Sequence, residues 1–550
     1  MKKIYLLLVL NSLMLCSLAQ NFSWAKREGL YAYDYGFGIV NDNLGNVYVA
    51  GKYEEEAIFS GNTLVNHGNH DMFLVRYSPA GTVDWIRTAG GNLGDYAQGL
   101  AIDASNNLVV TGEIEGYGNT ILFQGSAVTL TCVGDNDIFL AKYDMNGNLL
   151  WAKSEGYNYS EKGLAVTCDL TGNVYVCGYY TDTTKIAGSM YISAGGKDIF
   201  LAKYDPNGNF LWLQRAGSAG RDEALAVKCD AAGNVYMAGL HSDLALFGTQ
   251  TLTTGPGAFV DYDIFLAKYN SSGVMQWVKS PGSDYDDVAW DLTLDSSGKI
   301  YLTGEYNAYA VFDGFSLTST GMADIFVACY DPVAGNTLWA KSAGGPLIDR
   351  ARGIGCDGSN LFITGQFGNI ASFNSVTLSA ADSSDVFIAA LDPSGNFTWA
   401  KSIGGPADSL EALGYESGNS ICAEATGSVY ATGAILDGAS FGTLPPFLEY
   451  GRTDAFVTKI TLAGVGVPSE MNSAEISLYP NPNSGNFTLD LMQLNSSSNL
   501  VMVYNSMGQL IEQKTCDKSA EIDISKEGRG AYFIKVISDQ SNYSSWFIVQ

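Results

Sequence analysis

Histidine is scarce in this chain of 550 residues, and its cysteines do not follow a metal-binding pattern. The sequence contains three histidines and nine cysteines, and no two cysteines stand in a Cys-x-x-Cys arrangement. Zinc sites usually draw on such spacings or on clustered histidines. The Gly-rich segments are not followed by Gly-Lys-Ser/Thr, so they do not form a P-loop for nucleotides. These absences disfavour zinc chemistry and phosphate-loop enzymes.

Positive charge is also in short supply. The chain has 30 Lys and Arg against 57 Asp and Glu, a formal net charge of −27 and a pI of about 4.3. Such an excess of acid argues against nucleic acid or an anionic membrane surface as a partner. Beyond the first twenty residues no apolar run is long enough for a membrane span, and no stretch shows a clear helical period. We expect no transmembrane span in the mature chain.

The sequence is instead rich in repeats, and three markers each occur seven times at spacings of 60 to 69 residues. The tryptophans of one marker are Trp24, Trp85, Trp151, Trp212, Trp277, Trp339 and Trp399. An Asp-x-Phe marker begins at Asp71, Asp137, Asp198, Asp263, Asp324, Asp385 and Asp454. A glycine ends the third marker at Gly51, Gly112, Gly178, Gly239, Gly304, Gly365 and Gly433. Repeats of this length indicate a solenoid or a propeller.

Each repeat contains four short runs with the composition of β-strands, separated by turns such as "DPNGN" and "DAAGN". Four antiparallel strands per repeat are typical of a β-propeller blade, and a solenoid is the alternative. The repeat region begins with a lone fourth strand around Trp24 and stops after a third strand that begins at Asp454. The first strand would therefore complete the last blade. We predict an all-β fold with a seven-bladed propeller over residues 20–464, closed by this N-terminal strand.

The strings "DIFLAKYDPNGNFLWLQRAG" and "GNVYMAG" resemble the SBBP repeats of bacterial secreted β-propeller proteins. The resemblance covers roughly residues 20–464. It implies a propeller in an extracellular setting and implies no single activity.

Both ends of the chain indicate export. Residues 1–19 have Lys2 and Lys3, an apolar stretch and a small-x-small site at Ser17 and Ala19, which predicts a cleaved signal peptide. After a linker at 465–474, residues 475–550 resemble the type A C-terminal sorting domain of the Bacteroidetes type IX secretion system. The matching positions are Tyr479, Pro480, Asn481, Pro482, Gly485, Phe487, Tyr504, Gly508, Gly530 and Tyr532. The resemblance implies a small β-sandwich, the secretion machinery as partner, and a secreted or cell-surface location.

Acidic residues also recur once per repeat, at the entry to the first strand. These are Asp34, Asp95, Glu161, Asp222, Asp287, Asp349 and Glu416. One interpretation is structural, with each carboxylate accepting backbone N–H bonds and joining its blade to the next. The other is a cation site on the propeller axis, where oxygen ligands would suit Ca²⁺. A further metal candidate is the "HGNHD" loop with His67, His70 and Asp71.

A functional site should depart from the repeat, and one position of the first strand varies most. It holds Phe37, Gln98, Leu164, Leu225, Trp290, Arg352 and Asn419. Trp290 with Asp284 and Asp286, next to Arg350 and Arg352 of the following repeat, would suit a sugar or peptide; the alternative is ordinary packing and solvated charge. The sequence favours a non-enzymatic secreted or surface protein that binds glycan or protein. The alternative function is a polysaccharide hydrolase or lyase, which would need two carboxylates in a cleft.

Overall fold

The structure is a computed structural model of the chain. It describes residues 20–30, 32–254, 261–283, 285–405, 416–425, 427–447, 452–462, 477–479, 485–491, 499–505, 510–526, 529–537 and 542–549. The predicted signal peptide, the predicted linker, Asp284 and the sorting-motif residues Pro480, Asn481, Pro482 and Gly508 lie outside the described residues.

All regular elements of the described residues are β-strands, in agreement with the predicted all-β class. The strands β1 to β17 are, in chain order, Gln20–Leu30, Tyr35–Asn41, Val47–Glu54, Ala57–Phe59, Asn62–Leu64, His70–Tyr77, Val83–Gly90, Asp95–Ile102, Leu108–Glu115, Thr120–Phe123, Thr129–Thr131, Asn136–Tyr143, Leu149–Glu155, Glu161–Cys168, Val174–Ile186, Ser189–Tyr204 and Phe210–Gly217. The strands β18 to β34 are Glu223–Cys229, Val235–Ser242, Leu244–Phe247, Gln250–Thr253, Tyr262–Tyr269, Met275–Lys279, Val288–Leu294, Ile300–Phe312, Phe315–Tyr330, Thr337–Ala343, Arg350–Cys356, Leu361–Phe373, Val376–Leu391, Phe397–Ile403, Ser417–Ala423, Ser428–Ile435 and Asp454–Leu462. The strands β35 to β41 are Ser477–Tyr479, Asn486–Asp490, Asn499–Asn505, Leu510–Cys516, Ser519–Asp523, Gly530–Ile537 and Asn542–Val549.

Residues Gln20–Leu462 form one compact unit, in which the described strands make four-stranded antiparallel arrays. Six arrays take all four strands from one repeat: β2-β3-β6-β7, β8-β9-β12-β13, β14-β15-β16-β17, β18-β19-β22-β23, β24-β25-β26-β27 and β28-β29-β30-β31. The last array is β32-β33-β34-β1 and therefore joins the two ends of the unit. In it, β1 pairs antiparallel with β34 from Gln20 opposite Leu462 to Glu28 opposite Ala455.

The first strands of neighbouring arrays contact one another along the whole series. The strand β2 contacts β8, β8 contacts β14, and the sequence of contacts continues through β18, β24 and β28 to β32. The strand β32 in turn contacts β2. Four-stranded antiparallel sheets that meet at their first strands are the arrangement of propeller blades.

Outer hairpins add a second link between arrays. The hairpin β4–β5 belongs to the first repeat, yet β4 pairs with β1 of the last array. In the same way β10 pairs with β7, and β20 pairs with β17. The strand β1 therefore occupies the same place, relative to the next repeat, as the fourth strands β7 and β17.

The repeated tryptophans pack against a turn of the following repeat. The indole N–H of Trp24 donates to the carbonyl oxygen of Pro79 at 3.1 Å, and Trp85 donates in the same way to Met145 at 3.1 Å. A Cβ at Gly81 would press against the Trp24 ring, and Gly81 has a φ of 78°. Glycine is favoured there because it accepts both the close ring and the positive φ. The half-exposed Trp24 ring also stacks on Tyr77, with ring centroids 6.2 Å apart.

The apolar core lies between the faces of neighbouring sheets. One cluster joins Val49 and Phe73 of the first array to Tyr430 and Val457 of the last, and all four are buried. Such burial on both faces explains why the second and third strands read as nearly continuous apolar runs.

A second unit contains the described residues after 463. Its strands form the sheets β35-β36-β39 and β38-β37-β40-β41. Phe487 and Leu489 from the first sheet share a buried apolar cluster with Val501 and Ile534 from the second. Among the described residues of the whole chain, no helix is long and apolar enough to cross a membrane.

Candidate functional site

A β-bulge interrupts the first strand of every array and gives the site its geometry. In β24, for example, Ala289 lies opposite Gly304 and Asp291 lies opposite Thr303, so Trp290 between them has no partner across the ladder. The bulged residues are Phe37, Gln98, Leu164, Leu225, Trp290, Arg352 and Asn419. They are the residues at the most variable position of the repeat. A bulge re-aims a side chain away from the regular pleat.

All seven bulged residues line one cavity, about 450 Å³ in volume. Each is half-buried, and the pairing rules of the sheet do not restrict its identity because it has no ladder partner. The cavity therefore has a different chemical lining at each array. This freedom allows a single site on a repeated scaffold.

The structure brings three of the predicted site residues together around Glu305. The guanidinium carbon of Arg352 lies 4.9 Å from the centre of the Trp290 ring, within range of a cation–π interaction. The Trp290 indole N–H donates to Glu305 Oε1 at 3.3 Å, and Arg350 forms an ion pair with the other oxygen of Glu305. Trp290 and Arg352 line the cavity. Glu305 is buried, and sequence reasoning missed it because it lies on the second strand rather than the first.

Arg352 keeps hydrogen-bonding capacity inside this cavity. Its Nε is buried and has no hydrogen-bond partner among the described residues. Burial lowers the pKa of the guanidinium, and the nearby Arg350 lowers it further. A guanidinium remains charged under all ordinary conditions, so an anionic or strongly polar group in the cavity would be attracted to it.

Two further charged residues line the cavity and were not predicted, Asp291 and Lys228. Asp291 Oδ2 accepts the backbone N–H of Ile354 at 3.0 Å, which links two arrays. Burial raises the pKa of Asp291, while the charge of Lys228 acts against that rise. The sequence does mark Asp291 as unusual, because its strand position holds Gly, Ala or Ser in the other repeats.

The remaining predicted residue of this group that the structure describes, Asp286, does not line the cavity. It is exposed, and its Oδ1 accepts the backbone N–H of Tyr262 at 3.2 Å. Asp284 lies outside the described residues.

The seven recurring acids are fully buried at the places where two arrays meet. Asp349 is representative: its two oxygens accept backbone N–H bonds from Gly345 at 2.6 Å and Gly368 at 3.0 Å. Its own N–H donates to the carbonyl of Ala323 in the preceding array at 2.8 Å. Asp222 follows the same scheme with Ser218 and Ser242. These bonds are local to each junction.

Each of these acids also faces a second buried carboxylate, the aspartate of the Asp-x-Phe marker in the preceding array. The negative charge of Asp454 raises the pKa of Asp34, and Asp71, Asp137, Asp198 and Asp324 act in the same way on the acids at their own junctions. A Cβ on Gly29 would overlap oxygens of both Asp454 and Asp34, so glycine leaves room for the pair. The marker aspartates were visible in the sequence, but their role was not.

Burial raises the pKa of every recurring acid. Burial raises the pKa of Asp95 to about 8, that of Glu161 to about 8, that of Asp349 to about 7 and that of Asp222 to about 6. It also raises the pKa values of Asp34, Asp287 and Glu416 well above the usual range. Desolvation and a like-charged neighbour both disfavour the ionised form.

The histidines of the "HGNHD" loop contact different carboxylates. His67 Nδ1 lies 2.9 Å from Asp71 Oδ2, whereas His70 Nε2 contacts Oε1 of Glu54. His241 is buried and lies 2.7 Å from Ser280 Oγ, and burial lowers its pKa to about 4.

A Gly-x-Ser-x-Gly string, which sequence reasoning overlooked, occurs at residues 438–442. Its Ser440 forms an isolated bridge with Gly404, and no helix follows in the described residues. It lacks the strand–turn–helix context of a hydrolase nucleophile.

Comparison with known proteins identifies the tail. Residues 477–550 match the family described as the secretion system C-terminal sorting domain (Por_Secre_tail). This sorting domain supports export by type IX secretion and indicates attachment to the cell surface or release into the extracellular space.

The chain is also similar to other proteins over part of its length. An uncharacterized WD repeat-containing protein of Acanthamoeba polyphaga mimivirus is 29% identical over 36% of this chain and 16% of its own length. The regulatory protein FlaEY of Caulobacter vibrioides is 24% identical over 46% of this chain and 28% of its own. The chain thus spans less than a third of either curated relative. The solved structure of a europium-containing methanol dehydrogenase has a TM-score of 0.32 at 10% identity, over 80% of this chain and 93% of that one.

Proposed function

We propose that the protein is a secreted or surface-attached binding protein whose repeat region is a closed, seven-bladed propeller of the SBBP type. In this proposal, residues 1–19 are a signal peptide, 20–464 the propeller, 465–474 a linker and 475–550 a sorting domain folded as a β-sandwich. The pairing of β1 with β34 and the contact of β32 with β2 support closure. The recurring acids would join neighbouring blades.

The observation that carries the binding role is the uneven lining of the central cavity. Trp290 offers a flat aromatic face, and the buried Nε of Arg352 has no hydrogen-bond partner among the described residues. Asp291 and Lys228 add one charge of each sign. Aromatic faces stack on sugar rings and apolar side chains, while guanidinium groups bind carboxylates. We propose that the cavity binds a glycan or peptide that carries an acidic group.

Neither Arg350 nor Asp286 lines the cavity, so any contribution of theirs to ligand binding would be indirect. Arg350 reaches Trp290 through their shared partner Glu305, so it would position the ring rather than contact a ligand.

The second candidate function is a polysaccharide hydrolase or lyase, which requires an acid with a raised pKa that substrate can reach. The paired carboxylates at the array junctions have raised pKa values, but the first acid of each pair is fully buried. Substrate could not reach them without separating two arrays. This burial favours binding over catalysis.

A screen of the purified full-length protein against neutral and acidic glycans and peptides tests the proposal. We expect saturable binding to acidic members and an unchanged ligand after prolonged incubation. Cleavage of a glycan with turnover would instead support the enzymatic function. An absence of binding to every member would contradict the proposed role of the cavity.

A further inference from the structure

One junction between arrays departs from the repeat by an added carboxylate. Three residues before the Asp-x-Phe aspartate, most repeats have glycine, as at Gly68, Gly134, Gly195 and Gly321. The repeat that contains Asp385 has Asp382 at this position. Asp382 therefore places a carboxylate at a position where most repeats have no side chain.

The three acids are close enough to share an ion. Asp382, Asp385 and Glu416 each place a carboxylate oxygen so that all three oxygens lie within 4.8 Å of one another. Oxygens bound to one Ca²⁺ at 2.3–2.6 Å can be at most about 5.2 Å apart. Each pair of oxygens meets that limit. Three oxygens at the full 4.8 Å spacing would lie about 2.8 Å from their common centre, so small side-chain adjustments would bring them to Ca²⁺ distances.

The Glu416 carboxylate has an unused oxygen at this junction. Its side chain is fully buried, and Oε1 accepts the backbone N–H of Leu436 at 3.0 Å. Oε2 is buried as well and has no hydrogen-bond partner among the described residues. A buried carboxylate oxygen without a donor is costly unless a cation or proton compensates it.

The other two acids are held in place by the backbone. Both oxygens of Asp385 lie 3.1 Å from the N–H of Ala381, and Asp382 Oδ1 accepts the N–H of Ser384 at 2.9 Å. Asp382 is half-buried, whereas Asp385 and Glu416 are buried, so the group has one side open to solvent. An ion could enter from the side of Asp382.

We propose that Asp382, Asp385 and Glu416 bind a divalent hard cation, with Ca²⁺ as the best fit to three carboxylate ligands. Oxygen-only ligands exclude a preference for zinc or copper. Because Asp385 lies on β30 and Glu416 immediately precedes β32, the ion joins two neighbouring arrays. This site lies at a junction and includes one member of the recurring acid set, unlike a site on the propeller axis.

The test uses the full-length protein, freed of metal with a chelator and titrated with Ca²⁺ by calorimetry, with Mg²⁺ as competitor. We expect one equivalent of Ca²⁺ to bind and the melting temperature to rise with Ca²⁺ concentration. Asp382→Asn preserves the size of the side chain and removes its charge, and we expect it to weaken Ca²⁺ affinity at least tenfold.

Asp349→Asn is the matched control, since Asp349 is the counterpart of Glu416 at the neighbouring junction, where glycine replaces Asp382. It should leave Ca²⁺ affinity unchanged. Absence of Ca²⁺ binding to the unmodified protein would overturn the proposal. So would unchanged affinity in Asp382→Asn, or seven equivalents bound, because the added carboxylate would then not define the site.

Discussion

The N-terminal strand contributes a buried aromatic residue, Phe22, whose truncation should destabilise the whole repeat unit. Phe22 is 6% exposed, lies opposite Ile460 in β34, and meets Phe441 edge to face at 5.6 Å. An aromatic side chain buries roughly 200 Å², and at about 25 cal/mol per Å² its burial stabilises by about 5 kcal/mol. Measured Phe→Ala changes in cores cost about 3–5 kcal/mol. We therefore expect Phe22→Ala to lower the free energy of unfolding by about 3–5 kcal/mol.

This free energy can be converted into a melting temperature. The unfolding entropy is about 2.1 cal/mol/K per residue, or about 0.9 kcal/mol/K over the unit Gln20–Leu462. A loss of 3–5 kcal/mol therefore lowers the melting temperature by about 3–5 °C. Differential scanning calorimetry of the full-length protein measures this shift directly.

Two variants control for effects unrelated to closure. Phe22→Leu keeps most of the buried volume and should lose less than about 1.5 kcal/mol. Phe487→Ala makes the same truncation in the buried core of the tail unit and should leave the main transition unchanged. A shift below about 1 °C for Phe22→Ala, or one equal to that of Phe22→Leu, would show that β1 is not integral to the last array.

Three other predictions concern charge and export. Burial raises the pKa of Asp95 from 3.8 to about 8, so the folded state holds a proton that the unfolded state releases in this range. The free energy of unfolding, measured with urea, should therefore fall as the pH rises from 4 to 8. In Asp95→Asn this fall should be smaller. Arg27→Met removes the cation paired with the buried Asp454, at a cost of about 3–5 kcal/mol. The loss should be larger at pH 8 than at pH 5, because Asp454, with a pKa of about 7, is mostly protonated at pH 5; equal losses would contradict this. Deletion of residues 475–550 should leave a folded protein in the periplasm of a type IX-secreting host, and its appearance on the cell surface by immunoblot of fractions would refute this.

The repeats and the pairing of the two ends of the repeat unit could be predicted because they depend on local patterns. Each strand and turn is encoded within a few residues, and the spare strand around Trp24 complements the missing strand after Asp454. The sequence also identified the variable position that includes Trp290 and Arg352. The residue at this position varies because it has no partner across the ladder, whereas the paired positions of the repeat are constrained by the fold.

The bulge and the acid pairs could not be predicted because they depend on the register and contacts between strands, which the pattern within one strand does not show. The bulge at Trp290 appears only when Ala289 and Asp291 are matched with β25. The marker aspartate Asp324 faces Asp349 of the next array, a relation that no property of a single repeat reveals. Trp24 is partly buried against a core cluster, whereas Phe22 of the same strand is fully part of the buried core.

The proposed binding role of the cavity is tested most directly by one substitution inside it and one outside. Arg352→Met removes the guanidinium that lies over the Trp290 ring, and Arg215→Met removes one that lies 5.2 Å from the centre of the Tyr191 ring, away from the cavity. The measurement is the equilibrium affinity of each variant for an acidic glycan or peptide bound by the unmodified protein. We expect Arg352→Met to bind at least tenfold more weakly and Arg215→Met to bind normally. Equal affinity for all three proteins would contradict a ligand site in the cavity.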